Sequence, residues 1–279
     1  MDIAFAFDEH YADHAQVAME SVLDSQAPRD DLTFWLLTTA QVVQDRADHL
    51  HRQLDGRAKL HLLAADDGYR ALPRSASPDI SYITPGMHLR LLLPDLVASH
   101  TQRLLYLDCD LMVAGDLSPL WELPLGDAPL AAVRDANITV FADQGGVPGA
   151  TPADDDAPYF NSGVLLMNVP AWRQQRVTEQ CLTYLIEQES VLRLPDQDAL
   201  NLVVARRWVH LDGKWNNMKS WFLEAPDAVP QDVRIMHFAG RNKPWNEGFY
   251  PGFRQARWRA LAARVAACAP PAQAVAVAG

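Results

Sequence analysis

Apolar residues in the first hundred positions come in short unbroken runs, separated by stretches of helical spacing. Residues 3–7, 32–38 and 59–63 read as buried strands, and 14–23 and 42–54 as amphipathic helices between them. Strand and helix in alternation predict an α/β fold: a parallel sheet with helices on both faces, whose strands have no solvent-facing polar row. Beyond these, 86–96 reads as a helix closed near Pro94. The strongest strand is 103–110, where Leu104-Leu105-Tyr106-Leu107 runs straight into acidic residues. Residues 130–133, 163–167 and 235–238 supply three more strands. Helices are expected at 172–189, where Val177, Cys181, Tyr184 and Leu185 share one face, and at 195–205 and 253–267. The low-complexity tail from 269 or 270 to 279 is expected to be disordered. The stretch 143–157, rich in Gly, Pro and Asp, reads as a solvated mobile loop; its Asp154-Asp155-Asp156 run makes a metal site the sharper alternative.

Composition narrows the function classes. Among 279 residues, 49% are hydrophobic and 21% charged, which suits a globular core and excludes disorder as the main state. No apolar run reaches the length of a membrane-spanning helix, and no basic region precedes the first apolar stretch as in a secretory signal. The expected location is therefore cytoplasmic, and Asn137-Ile138-Thr139 is a chance match to a glycosylation acceptor. A formal net charge of −11 disfavours general nucleic-acid binding. A phosphate-bearing substrate would need a metal or a few local cations. Cys109, Cys181 and Cys268 are too widely spaced for a metal knuckle or a disulfide framework.

Two constellations carry candidate chemistry. Asp108-Cys109-Asp110 follows the strongest strand, where i and i+2 side chains share a face and the carboxyl edge of a parallel sheet binds ligands. Paired carboxylates there suit a hard divalent cation, although a solvated strand end is the bland alternative. The run from His237 to Trp245 closes a late strand; Lys243-Pro244-Trp245 offers a cation, a stiff turn and an aromatic plane to a phosphate-bearing ligand.

In order along the chain stand Asp8 after the first strand, the block from Leu105 to Asp110, Tyr159-Phe160-Asn161-Ser162-Gly163-Val164, and Asp196-Gln197-Asp198 followed by the run from His237 to Trp245. Together, over about residues 1–250, these blocks resemble glycosyltransferase family 8. That family comprises retaining nucleotide-sugar enzymes, among them glycogenin and the galactosyl- and glucosyltransferases of lipopolysaccharide biosynthesis. The resemblance implies a GT-A type nucleotide-sugar transferase fold over 1–250, with a nucleotide-binding half at 1–115 and a sugar and acceptor half at 116–250. A basic C-terminal helix would occupy 251–268.

The resemblance further implies that Asp108, Asp110 and His237 hold Mn²⁺, although ligand type alone admits Mg²⁺. It places Asp8 and Tyr11 at the uracil base, Gly240 and Lys243 at the diphosphate, and Arg90, Asp135 and Asn161 at the donor. Asp196 and Gln197 would lie beside the anomeric carbon, Asp196 holding sugar hydroxyls and the Gln197 carbonyl oxygen facing developing positive charge. Asp198 reads as structural. The implied reaction moves glucose or galactose from a UDP-sugar to a glycan or lipid-linked saccharide, by same-face attack with a donor phosphate oxygen taking the acceptor's proton. A self-glycosylating transferase like glycogenin, a non-catalytic nucleotide-sugar module and, more remotely, an aspartyl-phosphate phosphatase are the rivals. Arg254, Arg257, Arg259 and Arg264 stand among Phe253, Trp258, Leu261 and Val265 in the last helix. Packing of these apolar groups on an acidic domain is the favoured expectation. Peripheral contact with the inner face of a membrane is the alternative.

Overall fold

The computed structural model describes residues 1–65, 70–73, 84–218 and 232–269. Its main sheet has seven strands: β1 (Asp2–Ala6), β2 (Thr33–Thr39), β3 (Lys59–Ala65), β4 (Arg103–Leu107), β6 (Leu130–Arg134), β7 (Phe160–Asn168) and β8 (Val209–His210), in the order β3-β2-β1-β4-β7-β6-β8. A separate antiparallel pair joins β5 (Leu111–Val113) to β9 (Ile235–His237). Strands β1 to β4 run parallel, as the alternation predicts, and β7 runs antiparallel to both β4 and β6.

Period two along the central strands divides the core into two layers. Ile3, Phe5, Leu105 and Leu107 face one way, against α1 (Ala12–Ser25) and α2 (Ala40–Leu54). Ala4, Leu104 and Tyr106 face the other, against α3 (Leu93–Val97), α5 (Val169–Gln174), α6 (Val177–Glu187) and α7 (Pro195–Val204). The short α4 (Ser118–Trp121) buries Leu120 against the first layer. Burial on both faces explains why β2 is a continuous apolar run with no alternation to read.

Several elements differ from the sequence expectation. The expected helix at 86–96 is a 3-10 run, Pro85–Leu91, followed by α3. Pro94, with no amide hydrogen and a ring that crowds the preceding turn, sits in the first turn of α3 and cannot lie inside one longer helix. The expected helix at 172–189 divides at Arg176, whose φ of 52° is left-handed; no glycine or proline there announces the break. Strand β4 ends at Leu107, so Asp108 and Asp110 stand in a turn and do not share a strand face, while Cys109 between them points into the core. The 143–157 stretch is held down by a small core of its own, with Phe141, Val147, Ala157 and Tyr159 packed together. Asp154 caps a turn through Thr151, and Asp156 pairs with Arg206, so two of the three acidic side chains already have partners.

The last helix, α8 (Phe253–Ala267), packs Leu261 and Val265 with Met112, Met236 and Phe238, and Trp258 lies half-buried beside them. Arg257 pairs with Asp24, and Arg264 with Asp24 and Glu20. These are the packed contacts favoured above. No helix among the described residues is long and apolar enough to cross a membrane. The disorder expected at 270–279 lies outside the described residues.

Candidate active site

The reversed direction of β7 places the site. Because β7 begins where β4 ends, Asn161, Ser162 and Gly163 lie at the carboxyl edge of the parallel strands, and the Gly163 carbonyl accepts the Asp108 amide at 2.8 Å. Strand β6 ends at the same edge, delivering Asp135. Across the β5–β9 pair Leu111 faces His237, and the Phe238 amide bonds the Asp110 carbonyl at 2.9 Å. This small sheet, rather than strand periodicity, brings His237 to the two aspartates. A cleft of about 400 Å³ opens there.

All twelve residues singled out from the sequence line this cleft: Asp8, Tyr11, Arg90, Asp108, Asp110, Asp135, Asn161, Asp196, Gln197, His237, Gly240 and Lys243. His237 Nε2 lies 3.1 Å from Asp110 Oδ1 and 3.7 Å from Asp108 Oδ2. One ligand atom from each of the three falls within 4.8 Å of the others. Two carboxylates and an imidazole nitrogen so converged fit a divalent transition ion. Gly163 supports the fit, since a Cβ there would stand 2.3 Å from His237 Cε1 and 2.7 Å from Asp108 Oδ2. The ring and the carboxylate use the space a side chain would take.

Arg90 is buried and ties four groups together. Its guanidinium reaches Asp108 Oδ1 at 3.0 Å, Asp196 Oδ2 at 2.9 Å, and the Ser162 carbonyl and hydroxyl at 3.0 and 3.1 Å. Burial opposes its charge, but Asp108 and Asp196 outweigh that cost and hold its pKa above the usual arginine value. The two aspartates of the Asp-x-Asp run diverge. Burial pushes the Asp108 pKa up, against the pull of Arg90. At Asp110 burial is overcome by Lys243 and then His237, so its carboxyl is held well below the ordinary range. Lys243 bonds both the Asp110 carboxylate and the Phe238 carbonyl, the latter at 2.8 Å. Gly240, at φ 92°, turns the chain between His237 and Lys243 in a conformation that favours glycine.

On the other wall, Asp196 and Gln197 occupy the first turn of α7, directly after Pro195. Gln197 Oε1 accepts from the Ser162 amide at 3.0 Å and from Asn161 Nδ2 at 3.1 Å, and Gln197 Nε2 donates to Asp135 Oδ2 at 3.3 Å. Asp198 turns away to accept from the Tyr159 hydroxyl and the Leu194 amide, a structural role as expected. At the far end Asp8 accepts from the His10 amide, and Gly86 lies so close that a Cβ would touch the Asp8 carboxyl at 3.2 Å. His10 is exposed, and the His14 ring stacks on Trp245 at 3.7 Å.

Sequence reasoning missed Asn216, Ser162 as a ligand of Arg90, and the cleft wall formed by Asn137, Ile138 and Gln144. Asn216 sits in an irregular stretch with no periodicity to expose it; only its juxtaposition with β9 reveals it.

Comparison with known proteins identifies the family and the fold. The family model described as glycosyl transferase family 8 matches residues 2–248. General stress protein A of Bacillus subtilis is 32% identical over 180 residues, 60% of this chain and 61% of that protein, so the chain spans less than two thirds of that relative's length. The lipopolysaccharide 1,3-galactosyltransferase of Salmonella typhimurium is 28% identical over 90% of this chain and 74% of its own. The crystal structure of the galactosyltransferase LgtC in complex with donor and acceptor sugar analogues superposes with a TM-score of 0.77 at 26% identity, covering 94% of this chain and 95% of that one. The fold is therefore of the GT-A type, and the chain belongs to glycosyl transferase family 8.

Proposed function

From that membership we propose that this protein is a retaining hexosyltransferase. It moves glucose or galactose from a UDP-sugar to a saccharide or lipid-linked saccharide, with Mn²⁺ or Mg²⁺ held by Asp108, Asp110 and His237. The observation that carries the reading is the convergence of those three groups beside Arg90, Asp196 and Gln197 in one cleft. The relatives named as lipopolysaccharide galactosyl- and glucosyltransferases support the sugar class.

A divalent ion at this site would offset the negative charge that grows on the departing diphosphate. The chain's own groups supply the rest. Asp8 and Tyr11 line the end assigned to the base. Lys243, already held by Phe238 and Asp110, is the ammonium positioned for phosphate oxygens. Asp135, Asn161 and Asp196 present acceptors and an amide to sugar hydroxyls. Gln197 Oε1 already accepts from Asn161 Nδ2 and from the Ser162 amide and hydroxyl, so its role at the anomeric carbon is that of a fixed dipole, which needs no reorganisation as charge develops. With no free carboxylate assigned as nucleophile, same-face attack by the acceptor is the favoured route, the donor phosphate taking its proton. Residues 1–115 would serve the nucleotide and 116–250 the sugar and acceptor.

A hydrolysis screen of UDP-glucose and UDP-galactose with Mn²⁺ tests the proposal. Asp110→Ala is expected to lower the rate by about 10³-fold, and Gln197→Ala to lose rate while keeping donor affinity. Full activity in excess chelator would overturn the metal role. Donor binding without turnover would make the protein a binding module. A mass gain on the protein itself, lost in Tyr250→Phe, would favour self-glycosylation, since Tyr250 is 61% exposed. The expected location is cytoplasmic. Membrane contact through α8 would rest on exposed Arg259 and Phe253, and co-sedimentation with anionic vesicles measures it.

A further inference from the structure

The hydrogen bonds behind His237 form a chain in which each donor and acceptor is dictated by its neighbour. Asn161 Nδ2 donates to Asp135 Oδ2 at 3.2 Å. The Gly163 amide only donates, and it meets the opposite end of the same side chain, Asn161 Oδ1, at 3.0 Å. These two contacts fix the orientation of Asn161. Asn161 Oδ1 also faces Asn216 at 2.9 Å, so Asn216 must offer its Nδ2 to Asn161 and turn its Oδ1 to His237 Nδ1, at 2.8 Å. An amide oxygen only accepts, so Nδ1 must carry a hydrogen. Nε2 is then the ring nitrogen turned to the two aspartates, 3.1 Å from Asp110 Oδ1 and 3.7 Å from Asp108 Oδ2.

The backbone locks Asn216 in this place. The Asn217 amide bonds the Ile235 carbonyl at 2.9 Å, and the His237 amide bonds the Asn217 carbonyl at 3.1 Å, so 216–217 is zippered to β9. Asn216 is 1% exposed, and water cannot replace it readily. The other end of the chain is the sugar wall: Asn161 Nδ2 also donates to Gln197 Oε1 at 3.1 Å.

We propose that Asn216 is a positioning residue that keeps a hydrogen on His237 Nδ1, turns Nε2 to the two aspartates, and links the metal face of the cleft to Gln197 through Asn161. The proposal rests on the metal reading above for its purpose, but the Nδ1 hydrogen follows from the bonds to Asn216 and Asn161 alone. Partners behind a metal-binding imidazole commonly set its tautomer and ring angle, and their loss typically weakens metal binding 10- to 100-fold. Here the partner is an amide with a second duty. Its oxygen serves the histidine, and its NH₂ serves the residue that holds the catalytic amide.

Two substitutions separate those duties. Asn216→Asp keeps an acceptor for Nδ1–H but cannot donate to Asn161. Asn216→Leu removes both functions.

The first measurement is ¹⁵N NMR of histidine-labelled, metal-free protein, with His237 assigned by its loss in His237→Gln. The wild type is expected to show a protonated Nδ1, and Asn216→Asp the same. An unprotonated Nδ1 in the wild type overturns the proposal without any variant having to fold. The second is Mn²⁺ affinity with UDP present, read from the EPR signal of free Mn²⁺. Asn216→Asp should stay within about 3-fold of wild type while its turnover falls at least about 10-fold, and Asn216→Leu, if folded, should bind Mn²⁺ about 10- to 100-fold more weakly. Unchanged affinity in folded Asn216→Leu, or unchanged turnover in Asn216→Asp, overturns the linkage. A wild type that binds no Mn²⁺ yet shows a protonated Nδ1 refutes the metal reading and leaves the hydrogen-bond assignment standing.

Discussion

Gly163→Ala is the sharpest perturbation the site offers, because it adds one methyl group and changes no charge. The new Cβ would lie 2.3 Å from His237 Cε1, 2.7 Å from Asp108 Oδ2 and 2.9 Å from His237 Nδ1. Ordinary contact between such atoms is about 3.5 Å or more, so the ring must retreat by roughly 1 Å. It cannot do so freely: Asn216 holds Nδ1, and the backbone on both sides of His237 is bonded to Asn217 and β5. Overpacking of this kind costs about 1–3 kcal/mol of stability. A 1 Å error among groups meant to converge on one ion costs on the order of 10²-fold in function. The expected variant therefore folds with a lowered melting temperature, binds Mn²⁺ at least about tenfold more weakly, and hydrolyses a UDP-sugar about 10²-fold more slowly. Isothermal titration, thermal unfolding and the hydrolysis assay measure the three quantities. A variant equal to wild type in metal affinity and rate would mean that His237 and Asp108 do not share a ligand.

Arg90→Leu should destabilise the protein by about 3–5 kcal/mol in urea unfolding, since it strands buried Asp108 and Asp196 without their shared cation; Arg90→Lys should recover only part, because an ammonium cannot span both carboxylates and Ser162. His14 predicts a pH effect. Burial lowers its pKa to about 4 from an ordinary value near 6.5, so between those values the unfolded chain binds the extra proton. The stability it confers is present above pH 6.5 and is lost as pH falls toward 4. His14→Phe, which keeps a ring against Trp245, should flatten the loss of urea midpoint between pH 7 and 5; an unchanged slope refutes the assignment.

The legible parts of the sequence were those where one physical rule dominates. Continuous apolar runs gave the two-sided sheet because central strands cannot tolerate a polar row. The four motif blocks hold nine of the twelve residues given site roles, and the resemblance added Tyr11, Arg90 and Asp135, since it carries position as well as chemistry; all twelve line the cleft. Periodicity alone was a weaker guide to geometry. It put Asp108 and Asp110 on one strand face, whereas the chain has already left β4, and their convergence depends on β9, more than a hundred residues away. The antiparallel course of β7 left no mark in its apolar run, because a buried strand reads the same in either direction. Asn216 was invisible for a related reason: a hydrogen-bond partner needs only one polar atom in the right place, and no spacing encodes it.

Charge at the cleft ties the acidic composition to its expected partner. Five carboxylates line it, from Asp8, Asp108, Asp110, Asp135 and Asp196, against the two cations Arg90 and Lys243. Arg90 is spent on Asp108 and Asp196, and Lys243 on Asp110. A nucleoside diphosphate entering alone would thus meet a surplus of negative charge. One uncompensated like-charge pair about 6 Å apart, at an effective dielectric constant near 20, costs about 3 kcal/mol, or roughly 10²-fold in affinity. A bound divalent cation reverses that sign, so metal and diphosphate should each strengthen the other's binding by the same factor. UDP affinity is expected to fall at least about 10²-fold when chelator replaces Mn²⁺, and to do so far less in Asp108→Asn/Asp110→Asn, where the repulsion is removed together with the metal ligands. Calorimetric titration of UDP into both proteins, with and without Mn²⁺, measures the coupling. Equal affinity for UDP in the wild type under the two conditions would show that the carboxylates do not repel the donor, and that the acidic pair serves something other than a metal–diphosphate complex.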